Sequence, residues 1–206
     1  MIGILDIGIG NVMSLYSVIQ RLNIKVKICK SKNDLDEVKK IIFPGQGSFG
    51  EAMNKLRENE IDKHLLSNIS VKKKPFLGIC VGMQLLFKIG YEYGEHQGLG
   101  LFDGVVKKIY TDEKTISLPH IGWNSVSQLK KNSLFNDIDD NSDFYFAHSN
   151  YIDTKEKNIV LGQTFYGIKF PSIIVKENII GLQFHLEKSQ LNGFKLLKEF
   201  ILNFDA

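Results

Sequence analysis

Short apolar runs alternate with amphipathic stretches through the first half of the chain. Residues 2–5 read as a buried strand, residues 11–22 repeat apolar positions at the spacing of one helix face, and residues 25–29 read as a second strand. Ile41, Ile42 and Phe43 form a third short strand, which Pro44 and Gly45 are expected to stop. A helix is expected from about residue 51 to residue 69, a fourth strand at 76–79 and a helix behind it at 82–88. Strand and helix in this rhythm predict a parallel sheet covered on both faces. Beyond Gly98 the apolar runs shorten and are spaced by turns, at 105–110, 143–148, 159–164, 173–176 and 179–185. These predict antiparallel additions to the same sheet, closed by a helix over about 190–203. The reading is one α/β domain over residues 1–206: a mainly parallel open sheet, helices on both faces, and antiparallel C-terminal additions.

Composition narrows the class of protein without choosing an activity. With 206 residues, 43% hydrophobic and 24% charged, the chain can bury a core without disulfides or metals. No apolar run approaches the roughly 18 residues needed to span a bilayer. Met1-Ile2-Gly3-Ile4-Leu5-Asp6 lacks the basic segment of a signal peptide. The two cysteines, Cys29 and Cys80, stand in different settings, which argues against a disulfide and for a reducing cytoplasm. Net charge is a mild +3, and Lys72-Lys73-Lys74 reads as a solvated loop, so neither nucleic acid nor membrane is expected as a partner. His64, His96, His120, His148 and His185 are far apart in sequence, and no Cys-x-x-Cys or His-Glu-x-x-His spacing occurs. No metal is expected.

Candidate chemistry concentrates where strands end, which is where open α/β sheets place their sites. Gly78-Ile79-Cys80-Val81-Gly82 runs from a strand into a helix, with a nucleophile between glycines as in a nucleophile elbow. Such a turn strains the nucleophile's backbone, sets its sulfur at a helix N-terminus that favours thiolate, and aims the Val81 N–H at a developing oxyanion. A buried structural cysteine is the alternative reading. In Gln183-Phe184-His185-Leu186-Glu187, an extended backbone puts His185 and Glu187 on one face, as a base and its orienting carboxylate require. Pro44-Gly45-Gln46-Gly47-Ser48 is a glycine-rich turn after a strand, without the Gly-Lys-Ser/Thr ending of a nucleotide loop. Gly8-Ile9-Gly10-Asn11 is likewise incomplete as a dinucleotide fingerprint.

Taken together, Phe76-Leu77-Gly78-Ile79-Cys80-Val81-Gly82-Met83-Gln84 and Phe184-His185-Leu186-Glu187-Lys188-Ser189 resemble a class I (triad) glutamine amidotransferase. Asp6-Ile7-Gly8-Ile9-Gly10-Asn11, Pro44-Gly45-Gln46-Gly47-Ser48-Phe49, Leu118-Pro119-His120-Ile121-Gly122-Trp123-Asn124 and Tyr145-Phe146-Ala147-His148-Ser149 narrow the resemblance to the glutaminase subunits of imidazole glycerol phosphate synthases. It implies hydrolysis of L-glutamine to glutamate and ammonia through a thioester on Cys80, with His185 as base and acid and Glu187 orienting it. It assigns the oxyanion hole to Gly45, Gln46, Gly47 and Val81, and the amino-acid end of glutamine to Gln84, Ser149 and Asn150. Trp123 and Lys188 match positions that face a separate (βα)₈-barrel synthase subunit in histidine biosynthesis, and Trp123 is expected in an exposed turn. No cofactor is implied, and hydrolase and lyase are the enzyme classes that follow. The sequence departs from the family at Ile7, Gln46, Asn150 and Leu186, where tyrosine, a small apolar residue, an aromatic and proline are usual. Gln46 and Asn150 are expected near the mouth of the site. The alternative pathway is a paralogous glutaminase supplying a barrel partner that aminates surface sugars.

Overall fold

The computed structural model of the chain describes residues 1–111 and 116–205. Strands β1 (Ile2–Leu5), β2 (Val26–Cys29), β3 (Lys40–Gly45) and β4 (Phe76–Cys80) run parallel in the order β2-β1-β3-β4. Every residue of β1, β3 and β4 is buried, the continuous pattern expected of strands covered on both faces. Helices α1 (Val12–Arg21), α2 (Lys32–Glu37), α3 (Phe49–Glu58) and α4 (Asp62–Leu66) make the crossovers. The chain steps one way from β1 to β2 and the other way from β2 to β3 to β4, so right-handed crossovers place α1 opposite α2, α3 and α4. Contacts of α4 with α2 and α3 agree.

Local chemistry sets the ends of these elements, and in two places it overrules the expected boundaries. The Asn11 side chain caps α1 at Ser14 N, and Ser31 with Asp34 forms a capping box on α2. The helix expected over 51–69 is broken. Glu60 takes φ +52°, its N–H bonds Arg57 O, and Ile61 N–H bonds Leu56 O, which is a left-handed C-terminal cap built without glycine. Nor do Pro44 and Gly45 end β3. They pair with Ile79 and Cys80 of β4. The β1 ladder stops at Ile42, so the N–H that proline lacks has no strand to meet on that side.

The second half departs further from the expectation. Of the helix expected over 82–88 only the start is helical, as α5 (Val81–Gln84), and Phe87–Gly90 is strand β5. Leu85, Leu86 and Phe87 are buried on every side, and a short run of that kind carries no helical period to separate it from a strand. With β6 (His96–Gln97), β7 (Phe102–Lys108) and β10 (Asn150–Asp153), β5 forms a separate sheet in the order β10-β7-β5-β6. The run at 105–110 therefore joins this small sheet and not the large one. The large sheet continues from β4 through β13 (Ile179–Leu182), β12 (Ile168–Lys176), β11 (Val160–Tyr166), β8 (His120–Gln128) and β9 (Ser142–His148), nine strands in all. Its added strands are antiparallel except β13, which pairs parallel with β4. Helix α6 (Gln190–Leu202) packs on the 3₁₀ turn Leu186–Lys188, which α1 also touches. Buried Lys40 at the start of β3 donates to Phe200 O and Phe204 O, satisfying carbonyls at the end of α6.

Candidate active site

Cys80 ends β4 and caps α5 with φ +54° and ψ −110°. A non-glycine residue there costs roughly 1–3 kcal/mol, so the surroundings must enforce it. Backbone contacts do so. A Cβ on Gly78 would stand 2.5 Å from Gly82 O, one on Gly82 2.2 Å from Phe43 O, and one on Gly45 2.7 Å from Gly82 N. The elbow and the end of β3 therefore approach closer than any side chain allows, and the glycines of the motif are explained by contact. Val81 opens α5, where an N–H has no acceptor within the helix.

His185 and Glu187 meet by a different route from the expected one. β13 ends at Leu182, and Glu187 lies on the 3₁₀ turn Leu186–Lys188 and not on an extended strand. The turn is pinned: His185 N–H donates to Tyr145 O at 2.8 Å, and Ser189 Oγ donates to His185 O at 2.6 Å. His185 Nδ1 stands 2.9 Å from Glu187 Oε1, both side chains being at most 3% exposed. A carboxylate oxygen accepts, so Nδ1 carries the hydrogen and Nε2 is left for Cys80. Because β13 and β4 are parallel neighbours, with Leu182 opposite Ile79, the residues just past both strand ends converge. Burial by itself disfavours an imidazolium at His185; hydrogen bonds and charge from Cys80 and Glu187 outweigh it and push the group up to about 10.

Cys80 and His185 open into a cavity of about 390 Å³ that Gln46, Gly47, Val81, Gln84, Ser149, Asn150 and Lys188 also line. Gly45 stands directly opposite Cys80 in the β3–β4 register. Asn150 is not at the open mouth as expected: it is buried, and its carbonyl takes hydrogen bonds from His148 Nδ1 and Gln84 Nε2. Sequence reasoning gave no role to Glu92, Gln183 or His148. Glu92 lines the cavity, its Oε2 accepting from Phe49 N at 2.8 Å. His148 Nε2 lies 3.0 Å from His120 Nδ1, and Asn124 Nδ2 lies 3.2 Å from His120 Nε2. The carbonyl of Asn150 fixes one proton on His148 Nδ1, so the run Asn124 to His120 to His148 to Asn150 is satisfied with both rings neutral. Burial pushes His120 down to about 4 and His148 down to about 3. The five histidines that are scattered in sequence thus include a bonded pair, although no described group of three His, Cys, Asp or Glu is arranged to hold a metal ion.

Trp123 is on strand β8, opposite Tyr145 of β9, and not in a turn. Trp123 is 48% exposed and its ring meets Tyr145 edge-on, with centroids 6.1 Å apart, while Lys188 Nζ sits 5.3 Å from the Tyr145 centroid. Exposed Ile121 lies on the same strand. Since Lys188 also lines the cavity, this apolar patch adjoins the mouth of the site.

A thiol, an imidazole and a carboxylate brought together beside a tight strand-to-helix turn are the groups that thiol-dependent acyl transfer requires. The chain belongs to the class-I glutamine amidotransferase family, whose model matches residues 3–204. It is 43% identical over 200 residues to "Imidazole glycerol phosphate synthase subunit HisH" of Desulfitobacterium hafniense (strain DSM 10664 / DCB-2), covering 97% of this chain and 93% of that one. It is 44% identical over 203 residues to the HisH subunit of Leptospira borgpetersenii, covering 97% and 98%. In fold it matches a crystal structure described as a glutamine amidotransferase, with a TM-score of 0.75 at 18% identity over 97% of this chain and 96% of that one. The lyase expectation is overturned here. The family and the HisH relatives are glutamine amidotransferases, and a nucleophile with its base is equipped for acyl transfer and not for elimination. Among the described residues no helix is long and apolar enough to cross a membrane.

Proposed function

We propose that the chain is the glutaminase subunit of an imidazole glycerol phosphate synthase, acting in the cytoplasm as one domain in histidine biosynthesis. It hydrolyses L-glutamine to glutamate and ammonia and delivers the ammonia to a separate (βα)₈-barrel subunit. There, imidazole glycerol phosphate and aminoimidazole carboxamide ribonucleotide are formed. The observation that carries this reading is the meeting of Cys80 and His185 at one cavity, with Glu187 bonded to the far nitrogen of the His185 ring. With the proton held on His185 Nε2, the Cys80 sulfur attacks the side-chain amide carbon of glutamine. Charge developing on the carbonyl oxygen is met by the Val81 N–H and the backbone of Gly45, Gln46 and Gly47. His185 returns the proton to the amide nitrogen, the C–N bond breaks and ammonia leaves a thioester. Water, deprotonated by His185, then attacks; the C–S bond breaks and glutamate departs. Gln84, Ser149 and Asn150 hold the amino-acid end, and the Glu92 carboxylate suits its ammonium. Trp123 and Lys188 face the barrel, with the cavity mouth beside them. The HisH relatives favour this pathway over surface-sugar amination.

Glutamate release is the test, measured on the isolated chain, with the barrel subunit, and with barrel plus acceptor nucleotide. The Gln46 peptide lies between two glycines, with Gly47 at φ +95°, so it can turn at little steric cost. Aligning one oxyanion donor is worth roughly 10²–10³ in turnover. Stimulation of that size is expected only in the complete mixture. Absence of release in every mixture would reject the glutaminase assignment.

A further inference from the structure

Gln183, one residue beyond β13, is fully buried, and its backbone N–H donates to Ser172 O at 2.9 Å. Its side chain is held in one orientation by a chain of obligatory donors. Asn150 O, a carbonyl, can only accept, so the Gln84 amide presents its nitrogen there, at 3.1 Å. The same nitrogen lies 3.1 Å from the Gln183 amide, which must therefore present its oxygen to avoid facing donor with donor. The nitrogen of Gln183 is then turned to Cys80 Sγ, 3.7 Å away. The sulfur sits between two donors on different residues, His185 and Gln183.

Resting on the glutaminase reading of Cys80, we infer that Gln183 is a further catalytic residue: a fixed N–H donor that stabilises negative charge on the Cys80 sulfur and ties the nucleophile to Gln84. The charge is present at two points in the cycle: while His185 holds the proton before attack, and again when the C–S bond of the thioester breaks and its electron pair returns to sulfur. Bound to the acyl carbon, sulfur is a weak acceptor, so the donor acts most strongly in the charged states and contributes to rate beyond substrate binding. The Gln183 oxygen meanwhile fixes the amide that holds the substrate end, so nucleophile and substrate share one positioning group.

The test is alkylation of Cys80 by iodoacetamide in the full chain, without glutamine or partner, read by mass spectrometry of the Cys80 peptide. Gln183→Met removes both amide groups at similar length. Gln183→Glu keeps an acceptor toward Gln84 but sets oxygen against sulfur. Both are expected to slow alkylation about tenfold or more at neutral pH, Glu the more. A residue that only fills space would, when replaced, loosen a buried site and leave the rate unchanged or raise it. That outcome overturns the inference. Should neither variant fold by near-ultraviolet circular dichroism, the wild type decides: the ¹⁵N–¹H resonance of the Gln183 side-chain amide must shift when Cys80 is alkylated, and an indifferent resonance overturns the inference. Alkylation needs no turnover, so failure to hydrolyse glutamine would sink the glutaminase reading separately.

Discussion

Lowering the pH from about 7.5 to about 5 is expected to remove a large part of the folding stability through His120 and His148 alone. Burial pushes the two rings down to about 4 and about 3, against about 6.5 in an unfolded chain. Between those limits the unfolded state binds protons that the folded state refuses. Their contribution is therefore complete above about pH 6.5 and is lost as the pH falls. Each ring costs about 1.4 kcal/mol per pH unit in that range, so the pair costs about 4 kcal/mol by pH 5. A domain typically has only about 5–15 kcal/mol to lose. His185 carries the opposite sign. Raised to about 10, it contributes fully below about pH 6.5 and loses that contribution as the pH rises toward 10, so it adds no slope on the acid side. Urea unfolding followed by far-ultraviolet circular dichroism at both pH values measures the effect in the wild type and in His120→Gln/His148→Gln. The double variant should be weaker at pH 7.5 yet lose less than about 1 kcal/mol on acidification. A wild-type loss below about 1 kcal/mol, or an equal slope in the variant, would refute the neutral buried pair.

Further outcomes follow from the site and its supports. His185→Ala should cut glutamate release by several orders of magnitude, and Glu187→Gln by about tenfold less or better, because an amide oxygen can still accept from Nδ1. Equal losses in steady-state assays would show that Glu187 does more than orient the ring. Trp123→Ala should weaken barrel binding by about 2 kcal/mol while moving unfolding stability by less than about 0.5 kcal/mol, and Trp123 fluorescence should change on binding. Titration with the barrel subunit that finds unchanged affinity would place the interface elsewhere. Gly82→Ala sets a Cβ 2.2 Å from Phe43 O and must part β3 from β4, so a loss of about 2 kcal/mol or more in urea unfolding is expected, along with the activity. Wild-type stability in that variant would contradict the close approach.

Legibility in the sequence followed how local the cause was. β1, β3 and β4 are continuous apolar runs, and the elbow at Cys80 is marked by its own glycines, so both could be read directly. The break in the 51–69 helix could not, because Glu60 makes a left-handed cap in a position where glycine or asparagine is the usual sign. β8 was hidden because Pro119, Gly122 and a mixed row of polar and apolar residues look like a turn; the pairing of His120–Gln128 with β9 comes from the sheet. Division into two sheets depends on Ser149, a single residue between β9 and β10 that passes the chain from one sheet to the other. In the site, Cys80, His185 and Glu187 carried motifs. Glu92 stood outside every motif and Gln183 opened one without a role of its own, and both gain meaning only from what stands beside them.

The measurement that tests the central claim most directly is acid-quench trapping of the acyl enzyme during turnover with isotopically labelled glutamine, in the presence of the barrel subunit and acceptor. Peptide mass spectrometry should find one labelled glutamyl group on Cys80 and none on Cys29, which is fully buried in β2. The Cys80→Ala chain should keep its fold and release no glutamate. Label on Cys29, or undiminished glutamate release from Cys80→Ala, would contradict the account.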